Sequence, residues 1–120
     1  MTLSELKNRV MFQTNNDVDD VDEYLPYLVG YLNEGYDLLV LALTDEHMAE
    51  TAYLAADTDA PSLIPVWAHP AVADYATWLV YRNGNPSKQQ RGMQYLRAFN
   101  DVLSRLKALS LKGRQFYNMD

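Results

Sequence analysis

The chain contains no cysteine among its 120 residues. That excludes disulfides, thiolate zinc sites and a thiol nucleophile, and it suits a reducing compartment. Histidine is almost as scarce, with only His47 and His69. Long apolar runs are missing as well. The longest covers residues 38–43, against the roughly 18 apolar residues that a membrane-spanning helix requires. Residues 1–10 alternate polar and apolar side chains, so no secretory leader is expected. Gly84-Asn85-Pro86-Ser87-Lys88 lacks the spacing of a phosphate-binding loop, and no G-x-S-x-G elbow occurs.

What remains is an ordinary globular composition, 48% hydrophobic and 22% charged, at a length that fits one domain. Basic charge is nearly absent from the first half. Residues 1–60 carry 13 acidic and 2 basic side chains, and residues 61–120 carry 3 and 8, for a net charge of −6. An acidic chain is a poor duplex-DNA binder, because affinity for DNA rests on neutralising phosphates. The basic half retains the capacity for local contact with nucleic acid. Two arrangements satisfy the asymmetry. Opposite charges meet within one monomer or face water, or an acidic face of one copy meets a basic face of the next in a head-to-tail ring.

The apolar spacing predicts an all-α fold, a small bundle of four to five helices with a long C-terminal helix and a flexible tail. A first helix is expected over residues 3–12, opened by a Thr2/Glu5 capping box and striped by Leu3, Leu6, Val10 and Met11. Turn formers over 13–17 interrupt it. A second helix is expected over 23–43, with Asp22 as N-cap and Leu25, Leu28, Val29, Leu32, Tyr36, Leu39, Val40 and Leu43 on one face. Gly30 and Gly35 suit close approach of another helix. A short helix is expected from Thr44 or Asp45 through Ala56, with Met48, Ala52 and Ala55 inward. The prolines at 61, 65 and 70 then predict an extended connection whose Leu63, Ile64, Val66 and Trp67 pack on the core. A fourth helix is expected from Pro70 to a left-handed cap at Gly84. Asn85 caps a fifth, residues 86–109, antiparallel to the fourth and striped by Leu96, Phe99, Leu103 and Leu106, with Tyr95, Val102 and Leu109 widening the stripe. The organisation expected is a bundle over 1–111 and a tail over 112–120, joined at the basic hinge Lys112-Gly113-Arg114.

Few residues suggest chemistry. His47 and Glu50 lie one turn apart, but a di-metal bundle site needs paired Glu-x-x-His motifs, and here there is one pair in reversed order. His69, beside Pro70, reads as a helix-capping residue. Asp17, Asp19, Asp20, Asp22 and Glu23 resemble a calcium loop only in composition, because glycine is missing at Asp22 and glutamate at Leu28. They read as an acidic turn. No catalytic, cofactor-binding or metal-ligating residue is assigned, and no cofactor is expected.

The aromatics are more informative. Nine tyrosines and two tryptophans exceed the needs of a small core. Tyr24, Tyr27, Tyr31 and Tyr36 share one helix, and some must fall outside its buried stripe. Tyrosine beside acidic side chains suits a protein interface and equally a tyrosine-rich core edge. Arg91 and Arg97 on the long helix, and Phe116, Tyr117 and Met119 in the tail, complete the candidate protein-interaction residues with Tyr24, Tyr27 and Tyr31. The tail is either frayed or ordered on docking to a partner or a neighbouring copy.

Three stretches carry a family resemblance: Asp22-Glu23-Tyr24-Leu25-Pro26-Tyr27-Leu28 leading into Tyr31-Leu32-Asn33-Glu34-Gly35-Tyr36-Asp37; Ala68-His69-Pro70-Ala71-Val72-Ala73-Asp74-Tyr75-Ala76; and Tyr81-Arg82-Asn83-Gly84-Asn85-Pro86-Ser87-Lys88, followed by Tyr95 and Phe99. Together they resemble the small head–tail connector (adaptor) proteins of tailed bacteriophages and prophages, over most of residues 1–110. The resemblance implies a helical bundle that self-associates as a ring beneath the portal vertex, in the virion, after synthesis in the host bacterial cytoplasm. Its implied partners are the portal protein and tail or head-completion proteins. DNA is only passing cargo, and neither a membrane nor a small-molecule substrate is involved. The family has no catalytic residues to carry over. The competing expectation is a small helical nucleic-acid-binding regulatory protein using the basic helix 86–109.

Overall fold

The computed structural model describes residues 1–14, 23–43 and 53–118, with side chains through residue 110. Four α-helices account for most of them: α1 Leu3–Thr14, α2 Leu25–Leu43, α3 His69–Arg82 and α4 Pro86–Asn118, with a 3₁₀ turn at Val66–Ala68 before α3. No strand occurs among the described residues.

α3 is the hub. Nine of its 14 residues are buried, and α1, α2 and α4 all pack on it. Small side chains at Ala71, Ala73 and Ala76 let neighbouring backbones approach closely. α4 returns antiparallel, as the rings of Tyr81 and Tyr95 and of Tyr75 and Phe99 pair across the two helices at 6.0 and 4.7 Å. A Cβ on Gly92 would lie 2.6 Å from the Tyr81 Cβ, so only glycine fits that crossing. Gly35 plays the same part between α2 and α3, where a Cβ would meet Tyr75 at 3.0 Å. Gly30 does not: nothing lies within 4 Å of its missing side chain.

The first helix begins as expected. The Thr2 amide donates to Glu5 Oε1 at 3.0 Å and the Glu5 amide to Thr2 Oγ1 at 3.3 Å. Leu3, Leu6 and Val10 are fully buried. The helix runs on through Gln13 and Thr14, where turn residues were expected, because both side chains find partners inside. Thr14 donates to the Val10 carbonyl at 2.9 Å and Gln13 bonds across to α3.

The connection between α2 and α3 departs most from expectation. Asp22 and residues 44–52, with Met48 and Ala52, lie outside the described residues. From Tyr53 the chain forms turns, not the end of a helix. Asp59 Oδ2 accepts the amides of Ala55 and Ala56 at 2.9 and 2.8 Å, closing a local turn, and Ala55 is exposed. Asn33 clamps the Leu54 backbone from both sides, at 2.8 and 2.9 Å. The segment 60–70 is likewise turned, not extended. Bonds from Ser62 to Ala60 and from Ala68 to Pro65 curl it into the 3₁₀ turn. Ile64 is buried, but Val66 and Trp67 face outward.

Two helix ends also differ. Gly84 has no positive φ. α3 closes through Asn83 at φ −83°, with the Gly84 amide bonded to the Tyr81 carbonyl at 3.0 Å. Glycine is needed there for space, because a Cβ would sit 2.9 Å from Lys88. Asn85 caps α4 as expected, accepting the Lys88 amide at 2.9 Å. α4 then passes through Lys112-Gly113-Arg114 without a break and ends at Asn118. One glycine costs a helix only about 1 kcal/mol, too little to stop a helix of 33 residues.

Candidate protein-interaction surfaces

The tyrosines separate by register on α2. Tyr24, at its entrance, is a core residue and offers no surface for a partner. Its hydroxyl lies 2.8 Å from Thr14 Oγ1. The Thr14 proton already goes to Val10, so Tyr24 donates. Tyr27 is 61% exposed and Tyr31 half-buried, and their rings stack at 6.3 Å. Beneath them a hollow of about 190 Å³ opens between Glu23 and Lys88. That is smaller than the pockets of roughly 300–1,000 Å³ that hold small molecules.

The same helix carries an apolar surface, outside its core stripe, that the apolar spacing alone did not single out. Leu38 and Leu41 are 37% and 47% exposed. Residues 27, 31, 34, 38 and 41 alternate by four and three, so they form a line along the side of α2 opposite Leu28, Leu32, Leu39 and Val40. Glu34 stands at its centre, its Oε1 accepting the Tyr75 hydroxyl at 3.1 Å.

On α4, Arg91 and Arg97 are exposed, as are Arg105 and Lys107. The helix holds seven basic residues and one acidic one, Asp101. Leu106 is its last fully buried side chain among those described, and Leu109 is 48% exposed. Trp67, 46% exposed on the 3₁₀ turn, joins Ala108, Leu109 and Arg105 around an apolar hollow. Of the tail candidates, Phe116 and Tyr117 fall on the last turns of α4, and Met119 lies outside the described residues.

The titratable groups are placed for structure. His69 is the first residue of α3 and does not cap it: the N-cap position is Ala68. Its buried Nδ1 accepts the Met1 amino group at 2.8 Å. Burial first, and the Met1 ammonium second, hold its pKa below the ordinary value, against the pull of the Ile64 and Pro61 backbone. Asp74, 8% exposed, accepts Gln13 Nε2 at 3.0 Å, and Thr77 Oγ1 donates to Gln13 Oε1 at 2.6 Å. Burial raises the Asp74 pKa, with Gln13 and Arg9 opposing. His47, Glu50 and Asp17 through Asp22 lie outside the described residues. Among the described residues no cluster of histidine, aspartate and glutamate is placed to hold a metal, and no helix is long and apolar enough to cross a membrane.

No protein-family model, curated protein or solved structure matches this chain.

Proposed function

We propose that this chain is a structural assembly protein of the head–tail connector type, acting through helix faces that pack against other polypeptides. The observation that carries the reading is α4. Leu106 is the last fully buried side chain among those described, the helix continues to Asn118 with a basic sequence, and Trp67 and Leu109 are about half exposed beside it. Tryptophan and arginine around an apolar hollow are the residue types that anchor protein interfaces. The connector assignment itself rests on the sequence resemblance. Its partner is the portal protein.

The test is co-expression with a candidate portal protein from the same genome, followed by copurification and electron microscopy of the complex. A ring of this chain on the portal supports the reading. A chain that ignores portal in every preparation counts against it. The basic surface of α4 also favours nucleic-acid regulation as a second reading. Salt-dependent binding of duplex DNA by the isolated monomer would support that alternative.

A further inference from the structure

α2 is apolar on two sides. One side, through Leu28, Leu32, Tyr36 and Leu39, is consumed by the bundle. The other, the line Tyr27, Tyr31, Glu34, Leu38 and Leu41, is only partly covered by the described residues. Tyr31 is half-buried and Glu34 holds the Tyr75 hydroxyl, but Tyr27, Leu38 and Leu41 are exposed, though a helix apolar all round is ordinarily a buried one. Beside that line lies Gly30, exposed, helical and with nothing within 4 Å. A glycine there weakens the isolated helix by about 1 kcal/mol and gains no contact within the chain. What it does provide is a low spot where a second helix can come close.

The line also limits what can lie on it. It is symmetric about Glu34. Two copies of α2 meeting across a two-fold axis would set Glu34 against Glu34, a like-charge contact that disfavours a symmetric pair. α2 contains Glu34 and Asp37 and no basic residue. Its complement is therefore apolar and cationic. The outward face of α4 within the bundle, with Gln90, Arg91, Gln94, Arg97 and Asp101, is cationic but not apolar. The end of α4 is both: residues 107–118 hold Lys107, Lys112 and Arg114, no acidic residue, and Leu109, Leu111, Phe116 and Tyr117. At 1.5 Å per residue this arm is about 18 Å long, and the line from Tyr27 to Leu41 about 21 Å. Because α4 packs on α2 from within the bundle and runs as one unbroken helix to Asn118, its end does not wrap round to the outward side of its own α2.

We infer that the outward face of α2 is the acceptor for the projecting end of α4 from a second copy. The contact is heterologous: each copy offers one arm and one acceptor, and growth stops only when a ring closes. The inference rests on the assembly reading above and gives it a specific pair of surfaces.

The test uses the full-length chain in sedimentation velocity over a concentration series, and a fluorescent synthetic peptide of residues 106–120 in anisotropy titrations. Circular dichroism melting confirms that each variant is folded. The wild type is expected to form concentration-dependent oligomers and to bind the peptide. Leu38→Lys with Leu41→Lys, and separately Glu34→Lys, should weaken both by about tenfold or more, as loss of a central anchor does. A peptide carrying Arg114→Glu should bind the Glu34→Lys protein better than it binds the wild type. Oligomers that form but ignore the α2 substitutions overturn this inference while leaving the assembly reading intact. Peptide binding that is absent, or unchanged by the α2 substitutions, also overturns it. The connector reading is judged separately, by the portal copurification.

Discussion

Two buried ionisable side chains respond to pH in opposite senses, and neither sits where a partner would reach it. The His69 pKa is lowered by burial from its ordinary 6.5. The stability it lends is therefore present above pH 6.5 and is lost as pH falls through the depressed folded-state value. His69→Asn, whose Oδ1 replaces the Nδ1 acceptor, should flatten that acid limb in melting curves recorded between about pH 7 and 5. Asp74 runs the other way. Its pKa is raised from 3.8, so the stability of its neutral form is complete below pH 3.8 and is lost as pH rises through the folded-state value. At neutral pH the ionised carboxylate is a cost. Asp74→Asn keeps an oxygen for Gln13 and removes the charge. It should melt a few degrees higher at pH 7, as expected for about 1 kcal/mol, with the gap closing near pH 3. A gap that persists in acid would place the gain elsewhere.

At the scale of elements, three helical glycines make a graded experiment. Gly92→Ala forces a methyl to within 2.6 Å of the Tyr81 Cβ, an atom held by its backbone, so α3 and α4 must separate. A loss of about 1–3 kcal/mol, the usual range for overpacking, is expected in denaturant unfolding. Gly35→Ala, at 3.0 Å from Tyr75, should cost less. Gly30→Ala meets nothing and should stabilise the monomer by about 0.4–1 kcal/mol, while weakening self-association if a helix lies there. From sequence, Gly30 and Gly35 looked alike as sites of close approach. Spacing shows that a residue lies on a helix, but not which neighbour crosses it. Two N-terminal capping signals were legible, whereas the caps expected at Gly84 and His69 did not form. Thr2/Glu5 and Asn85-Pro86 act within one turn of chain, and both form as the residues dictate. Asn85→Ala should accordingly cost about 1 kcal/mol in thermal unfolding. The segment 53–68 was misread for the complementary reason. Its conformation is set by distant partners, Asn33 holding Leu54 and the Tyr36 hydroxyl accepting the Leu63 amide at 3.1 Å.

Over the whole molecule, the all-α class and the long last helix were legible because apolar periodicity reports burial directly. The division of the tyrosines was not. Tyr24 and Tyr27 are three residues apart, yet one is buried beneath α1 and the other faces outward, because the partner that covers Tyr24 comes from Thr14 in another helix. Charge segregation was visible in the composition and keeps its form in the fold: α2 has only acidic charges and α4 nearly all basic ones. In the docking proposed above, association between those faces would have two components that salt separates. Ion pairs at a rim are screened as the Debye length falls from about 10 Å at 0.1 M to about 3 Å at 1 M. The apolar contact along Tyr27, Leu38 and Leu41 is not weakened by screening, and sulfate strengthens it. Self-association should therefore fall several-fold between about 0.05 and 0.5 M sodium chloride, as for other electrostatically matched faces, and recover in sodium sulfate of equal ionic strength. For Glu34→Lys, where the central charge now opposes the arm, added chloride should strengthen association instead. Sedimentation velocity across the two salts measures both effects. Association indifferent to chloride in both proteins would mean that charge takes no part in joining the copies.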